Sequence, residues 1–345
     1  MTVRSRRFGL FEGRIGVRLD WTPFSLRSVQ WVGLLLFVFV HAPTALAQQK
    51  NPRQLLDAMS KAVVALDYAG SFVYEHNGQL DALRLFHSAG SGGRERLVSM
   101  SGLRSEIVRA GDSMTCLQSG LPTQLLQVRR GTSLLPLLPG SGRAFPADYY
   151  AVSEAGSDRV AGYPARILEV SARDAFRYGY RLWLDEESHL PLRSAQLDGE
   201  QRTLAQYMFV SLEIGGKPKE SDLTIGGETG LAAHVAETPL EDPLRWEVKD
   251  LPPGFVFSGA QRPTNGPSTA EHHLYTDGVA SVSLYVEPRD RSASAIADRA
   301  MARGAMHVYS RDVDVWRITA MGEVPAATVE RIAQSTASRS DPVQH

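Results

Sequence analysis

The segment Arg177-Tyr178-Gly179-Tyr180-Arg181-Leu182-Trp183-Leu184 decides the fold. Tyr178, Tyr180, Leu182 and Leu184 fall on one side of an extended chain, with Arg177, Gly179, Arg181 and Trp183 on the other. A two-residue period belongs to a strand with one well-buried face, because successive strand side chains point to opposite faces. Comparable short runs surround it: Ala165 to Val170, Leu192 to Leu197 and Leu204 to Leu212, and upstream Arg94 to Met100, Ser105 to Arg109, Ser113 to Leu117 and Gln124 to Val128. Gly, Asp and Pro punctuate the gaps, and the stretch between Val128 and Ala165 reads as loop.

Ser71 to His76 and Asp81 to His87 flank Asn77-Gly78, the favoured turn dipeptide of a two-residue hairpin. Ahead of them, Asn51-Pro52 supplies an N-cap and first helical residue, and Leu55, Leu56, Met59, Val63 and Leu66 recur at helical spacing. So many short strands without a repeat predict one large antiparallel sheet. A sheet of about nine strands curls or closes, and one helix is too narrow to cover its concave face, which leaves an apolar hollow. Leu134-Leu135-Pro136-Leu137-Leu138-Pro139, with Phe145, Tyr149 and Tyr150, is too apolar for a solvated loop. That segment either plugs the hollow or helps bind what enters it.

Between Gly215 and Pro243 the chain turns polar and broken, with Gly-Gly at 215 and 226, Pro218 and Pro239. This reads as a domain joint. Beyond it come Trp246, Leu251-Pro252-Pro253-Gly254-Phe255, a hairpin from His272 to Val286 about Asp277-Gly278, a helix from Ala295 to Arg303 capped by Ser294, a strand from Val313 to Met321 and a helix from Pro325 to Gln334. The expected class is α+β: a large curved antiparallel sheet over residues 48–217, a linker over 218–243, a smaller α+β unit over 244–336 and a disordered tail over 337–345.

Residues 1–30 carry six arginines, and the apolar run Trp31 to Val40 follows, then Ala45-Leu46-Ala47. A basic region, a short apolar core and a small-x-small site read as a secretory signal removed after Ala47. The run is too short to cross about 30 Å of hydrocarbon, and no Cys follows it to carry a lipid. The whole chain has 37 Lys+Arg against 38 Asp+Glu, so it lacks the basic surplus that nucleic acid requires. Its single cysteine, Cys116, excludes an internal disulfide and reads as a small core residue.

No catalytic constellation is legible. The sequence has no Gly-x-Ser-x-Gly, Ser-x-x-Lys, His-Glu-x-x-His, Gly-x-x-x-x-Gly-Lys or Cys-x-x-Cys. His272-His273 points to opposite strand faces, which is wrong for one metal ion, and no cofactor is expected. His76 and His87 read as a surface pair across the first hairpin. Asp185-Glu186-Glu187 and Glu241-Asp242 read as solvated turns. Arg129, Arg130, Arg143, Arg173, Arg177 and Arg181 are either scattered surface charge or contacts for anionic headgroups beside an apolar pocket.

Together the blocks Tyr178-Gly179-Tyr180-Arg181-Leu182-Trp183-Leu184-Asp185-Glu186-Glu187-Ser188-His189-Leu190-Pro191-Leu192-Arg193-Ser194, Gln206-Tyr207-Met208-Phe209, Leu251-Pro252-Pro253-Gly254-Phe255, Leu274-Tyr275-Thr276-Asp277-Gly278, Gly322-Glu323-Val324-Pro325 and Glu330-Arg331-Ile332-Ala333 are similar, in order, to the RseB/MucB family. The resemblance implies a periplasmic negative regulator of an envelope-stress (sigma-E/AlgU-type) sigma factor. Such a protein binds the periplasmic part of a membrane-spanning anti-sigma factor, shields it from site-one proteolysis and is released by lipopolysaccharide or related lipid. It also implies a first domain similar to lipoprotein carriers and receptors, an unclosed β-barrel covered by helices. The chain departs from the family pattern in its N-terminal extension and its Leu/Pro-rich stretch.

On this reading the protein is not an enzyme. Phe72, Tyr74, Leu83, Leu85, Leu134, Leu135, Leu137, Leu138, Phe145, Tyr180 and Leu182 are the expected acyl-chain contacts, with plain core packing as the alternative for most. Arg245, Trp246, Phe255 and Arg262 are the expected partner surface, since aromatic and Arg anchors dominate interfaces. The rival functions are a lipid or lipoprotein shuttle with no regulatory role and a hydrolase with an unrecognised site. Whether the chain also forms a homodimer is left open.

Overall fold

Asn77 and Gly78 turn the chain at φ 51° and 72°, both left-handed, as a tight hairpin between twisted strands requires. They join β1 (Tyr68–His76) to β2 (Gln79–Ser88), with His76 opposite Gln79. The computed structural model describes residues 51–90, 93–111, 113–117, 133–139, 145–225, 238–239, 244–262, 267, 269–289 and 298–339. The chain from Gln49 onward clusters as one compact unit. The expected signal (1–47), the strand at 124–128, the tail from 340, the cap Ser294 and the side chain of Cys116 lie outside the described residues.

On one side of this hairpin the sheet continues through β3 (Arg94–Ser99), β4 (Glu106–Ala110) and β5 (Ser113–Leu117). On the other, β1 pairs with β10 (Thr203–Ile214), followed by β9 (Pro191–Leu197), β8 (Gly179–Asp185), β7 (Tyr163–Ala172) and β6 (Tyr150–Val160). The order β5-β4-β3-β2-β1-β10-β9-β8-β7-β6 is antiparallel throughout, and its two end strands do not pair, so the sheet is unclosed. Bulges at Ser71/Phe72, Glu154/Ser157, Trp183/Leu184 and Thr203/Ala205 bend its strands, the local device by which a sheet curves.

Helix α1 (Pro52–Ala65) starts on a capping box: the Asn51 side chain accepts from the Gln54 backbone, and the Asn51 N–H donates to the Gln54 side chain, both at 3.0 Å. Leu55, Leu56 and Met59 bury against Leu168, Val170, Tyr180, Leu182 and Leu184. Only Val63, near the end of the helix, belongs to the other apolar cluster of this sheet's concave side.

The second sheet has the order β11-β13-β14-β15-β18-β17-β16, from β11 (Thr238–Pro239), β13 (Val256–Arg262), β14 (Glu271–Thr276), β15 (Ser281–Pro288), β16 (Arg299–Arg303), β17 (Met306–Val313) and β18 (Trp316–Gly322). Helix α2 (Ala326–Gln334) lays Val329, Ile332 and Ala333 on it. β12 (Trp246–Val248) pairs with β19 (Thr336–Ser338), tying the start of this unit to its end.

Three expectations fail here. The region read as loop before Ala165 contains β6, eleven residues long; seven consecutive residues from Ser153 to Arg159 are exposed, so no apolar alternation marks it. Residues 299–303 are a strand rather than the end of a helix, held by pairing with β17 although all five are exposed. The expected disordered tail over 337–345 does not begin at 337, since Ala337 and Ser338 pair with β12 in β19. The expected strand from Val313 to Met321 does form, as β18 from Trp316, after a turn at Asp314 with φ 52°.

Candidate functional site

The concave face over β1, β2, β3, β4 and β10 is apolar because alternate residues of each strand point into it. Phe72, Tyr74, Leu83, Leu85, Leu97, Ile107, Tyr207 and Phe209 form one buried cluster. The Phe72 ring meets Tyr207 at 5.7 Å and Phe209 at 5.5 Å, both edge-on, the favoured aromatic geometry. Tyr207 keeps its hydroxyl satisfied on the Pro191 carbonyl at 3.1 Å, and burial raises its pKa far above normal.

Helix α1 leaves this half of the face uncovered, and Leu134 and Leu135 fill it, both buried in the same cluster with Leu137 and Leu138 packed against them. All eleven expected acyl-chain contacts thus lie in two adjoining clusters: Tyr180, Leu182 and Phe145 belong to the one under α1, and Leu137 touches both. The Leu/Pro-rich stretch thus packs into the Phe72 cluster in the position of a plug.

A buried polar knot holds the plug's first residues. Glu95, wholly buried on β3, accepts from Ser133 Oγ at 2.6 Å and the Leu134 N–H at 2.8 Å, and pairs with Arg109 at 3.0 Å. His87 stands 3.9 Å away, stacked on Tyr68, and burial lowers its pKa. His76 is also buried, bonded to Asp81 at 2.9 Å. The two histidines sit at opposite ends of the hairpin, opposite Gln79 and Tyr68, so they are not the surface pair expected.

Where the two sheets meet, Arg177 is fully buried. Its guanidinium donates to Asp277 Oδ2 at 2.6 Å, to Asp174 at 2.9 Å and to the Pro253 carbonyl, and lies 4.6 Å from the Tyr149 ring centre and 5.3 Å from that of Phe255. Tyr150 donates to the same Asp277 oxygen at 3.1 Å. Asp277 Oδ1 accepts from the backbone of Val279 and Ala280, which fixes it in the β14–β15 turn. Thr328 Oγ1 of α2 donates to the Phe176 carbonyl at 2.7 Å, and Tyr178 meets His307 at 3.2 Å. Arg177 therefore serves neither headgroups nor solvent. Of the other arginines, Arg173 is exposed and Arg181 pairs with Glu169; Arg129, Arg130 and Arg143 lie outside the described residues.

The expected partner residues divide. Trp246 is buried, edge-on to Trp316 at 5.7 Å, and Phe255 is buried under Arg177, so neither ring faces solvent. Arg245 is exposed, its backbone N–H donating to Glu271, and Arg262 is half-buried on β13 opposite Thr238. Leu251 to Phe255 proves to be a turn: the Phe255 N–H donates to Pro252 at 3.1 Å across Gly254 at φ 81°, and Pro253 presents its carbonyl to Arg177.

Asp185 is buried rather than solvated, accepting from the Ser188 N–H and hydroxyl at 2.8 and 2.6 Å. Glu241 and Asp242 lie outside the described residues. His272 stacks on Tyr285 at 4.2 Å while His273 bonds Glu271 at 2.7 Å. Among the described residues no group of three or more His, Cys, Asp or Glu is placed to hold a metal.

Asp277 and Glu95 carry no signal of these roles in the sequence, Asp277 lying inside a turn dipeptide and Glu95 inside a strand of alternating charge. Tyr150 stood out only as part of the apolar segment, not as the partner of Asp277.

Comparison with known proteins agrees with this architecture. The profile of the MucB/RseB N-terminal domain matches residues 51–226, and that of the MucB/RseB C-terminal domain residues 241–337. The sigma factor AlgU regulatory protein MucB of Pseudomonas aeruginosa is 31% identical over 296 residues, 84% of this chain and 91% of that protein. The sigma-E factor regulatory protein RseB of Escherichia coli is 28% identical over 290 residues, 81% of this chain and 89% of that protein. A crystal structure of MucB in complex with MucA(peri) superposes with a TM-score of 0.69 at 30% identity, covering 84% of this chain and 100% of that one. With both domain profiles matched in order across the two sheets, the chain belongs to the MucB/RseB family.

Proposed function

We propose that this protein is an exported, non-enzymatic regulator of an envelope-stress sigma factor. In the periplasm it binds the periplasmic part of a membrane-spanning anti-sigma factor and shields it from site-one proteolysis, and lipopolysaccharide or a related lipid releases it. The support from relatives is that MucB and RseB are named as sigma factor regulatory proteins and that MucB is solved with MucA(peri).

The observation that carries the reading is the contact from the apolar hollow to the second sheet. Tyr150 belongs to the cluster under α1 with Leu182 and Phe145, and its hydroxyl rests on Asp277 of the β14–β15 turn. Acyl chains enter the concave face at Phe72, Tyr74, Leu83, Leu85, Tyr180 and Leu182. Rearrangement there moves Tyr150 and alters the second sheet, where Arg245 and Arg262 meet the partner while Trp246 and Phe255 shape that surface from within. If lipid weakens partner binding, partner weakens lipid binding by the same factor.

The test follows site-one proteolysis of the genomically linked anti-sigma factor's periplasmic fragment with residues 48–345 of this chain, with and without lipopolysaccharide. Protection that lipopolysaccharide abolishes supports the proposal. Absence of both binding and protection, with transfer of lipid between vesicles, would replace it with the shuttle.

A further inference from the structure

The hollow is filled by the protein's own chain, and the way it is filled carries an inference that rests on the reading of the hollow as an acyl-chain site. We infer that Ser133 to Leu138 is a built-in competitor for acyl chains: it occupies the slot that lipid must enter, and lipid binds by displacing it.

Four features of the segment fit a removable occupant better than a fixed part of the wall. First, it joins no strand ladder: residues 133–139 lie across the concave face without pairing to either sheet, so they can leave without breaking one. Second, its polar anchors lie at its ends. Ser133 and the Leu134 N–H hold Glu95 on β3, and the Leu137 carbonyl accepts from Ser194 Oγ on β9 at 2.6 Å, while the isobutyl groups between point into the apolar cluster.

Third, Leu137 is held at φ 56°, a left-handed conformation that a leucine adopts only at a cost, and departure relieves it. Fourth, Glu95 keeps Arg109 as a partner when the plug leaves, so no buried carboxylate is orphaned. Displacement removes the side chains of Leu134, Leu135, Leu137 and Leu138, about 16 carbons in all, so exchange favours the lipid only for acyl chains long enough, or numerous enough, to bury more methylene surface than these. Leu137 also packs against the cluster that holds Phe145 and Tyr150, which places the plug at the start of the path to Asp277.

The test loosens the plug without touching the apolar wall. Ser194→Ala and the double variant Ser133→Ala/Ser194→Ala are titrated with cis-parinaric acid, and amide exchange is followed at Leu134 and Leu135, whose N–H groups donate to Glu95 and to Ser133 Oγ. The expected result is about tenfold tighter binding for the double variant, a smaller gain for Ser194→Ala, and loss of amide protection at both leucines on saturating the wild type. Competition by lipopolysaccharide or by a triacylated lipopeptide then tells which source of acyl chains enters. Unchanged or weaker binding by the variants, with the amides still protected at saturation, would overturn the plug and leave the acyl-chain site standing. No binding by wild type or variants would overturn both.

Discussion

Arg177 and Asp277, a hundred residues apart in sequence, meet at 2.6 Å with neither side chain exposed to solvent. One belongs to the approach to β8 and the other to the β14–β15 turn, so the two sheets are joined by a buried ion pair. Such a pair is weak evidence of net stabilisation, because desolvating both charges offsets most of their attraction. Breaking it from one side is costly all the same. Arg177→Met should lower unfolding stability by about 3–5 kcal/mol and Asp277→Asn by a similar amount, with the double variant losing far less than their sum. Urea denaturation of the four proteins checks this; additive losses would mean the pair does not couple.

Gly254 lies at φ 81°, and a Cβ built on it would stand 2.3 Å from the Tyr149 ring, which is stacked against Arg177. Gly254→Ala therefore meets both backbone strain and a clash with a ring that cannot move freely. It should cost more than the roughly 1–2 kcal/mol of a left-handed alanine alone. Thermal denaturation measures this, with Gly199→Ala as the control, since nothing lies within 4 Å of a Cβ there.

Tyr150→Phe keeps the ring in its cluster and removes only the hydroxyl on Asp277. It should cost about 1.5–3 kcal/mol, as expected for a hydrogen bond to a charged group. Its diagnostic effect is on coupling: the ratio of anti-sigma fragment affinities measured without and with lipid should fall toward one, while lipid affinity itself changes little. A ratio equal to that of the wild type would exclude this hydroxyl from the path.

Desolvation pushes the Glu323 carboxyl up to about 7. Its neighbours include Tyr74 of the first sheet, raised by burial and then by this carboxylate, and Tyr178, pushed up to about 12 by burial first. Because the folded pKa lies above the unfolded one, the native state holds a proton that the unfolded chain releases. Stability from this group therefore falls as pH rises from about 4.5 to 7. Glu323→Gln removes that slope: it should match the wild type near pH 4.5 and exceed it by up to about 3 kcal/mol at pH 8. Equal stability at both pH values would refute the assignment.

The β1–β2 hairpin was legible because alternate residues face a core. β8 was legible as a strand, but its expected open face is buried too, with Trp183 packed beside Leu192, Ala195 and Leu197, so it has two covered faces and not one. β6 and β16 were not legible, since exposed strands carry no such signal and exist through pairing with β7 and β17. The same limit applies to the candidate site. The leucines at 134 and 135 announced themselves by composition, but an arginine in a sequence shows nothing of its burial, and Arg177 acquires its role only when Asp277 and Pro253 reach it from the second sheet.

The central claim is that lipid and the anti-sigma factor exclude one another. The most direct test titrates the labelled periplasmic fragment of the anti-sigma factor against residues 48–345, alone and saturated with lipopolysaccharide, and then repeats the titration in the reverse sense. The account predicts weaker binding in both directions by one common factor of about 5–150. Equal affinity for the fragment with and without lipid would contradict it.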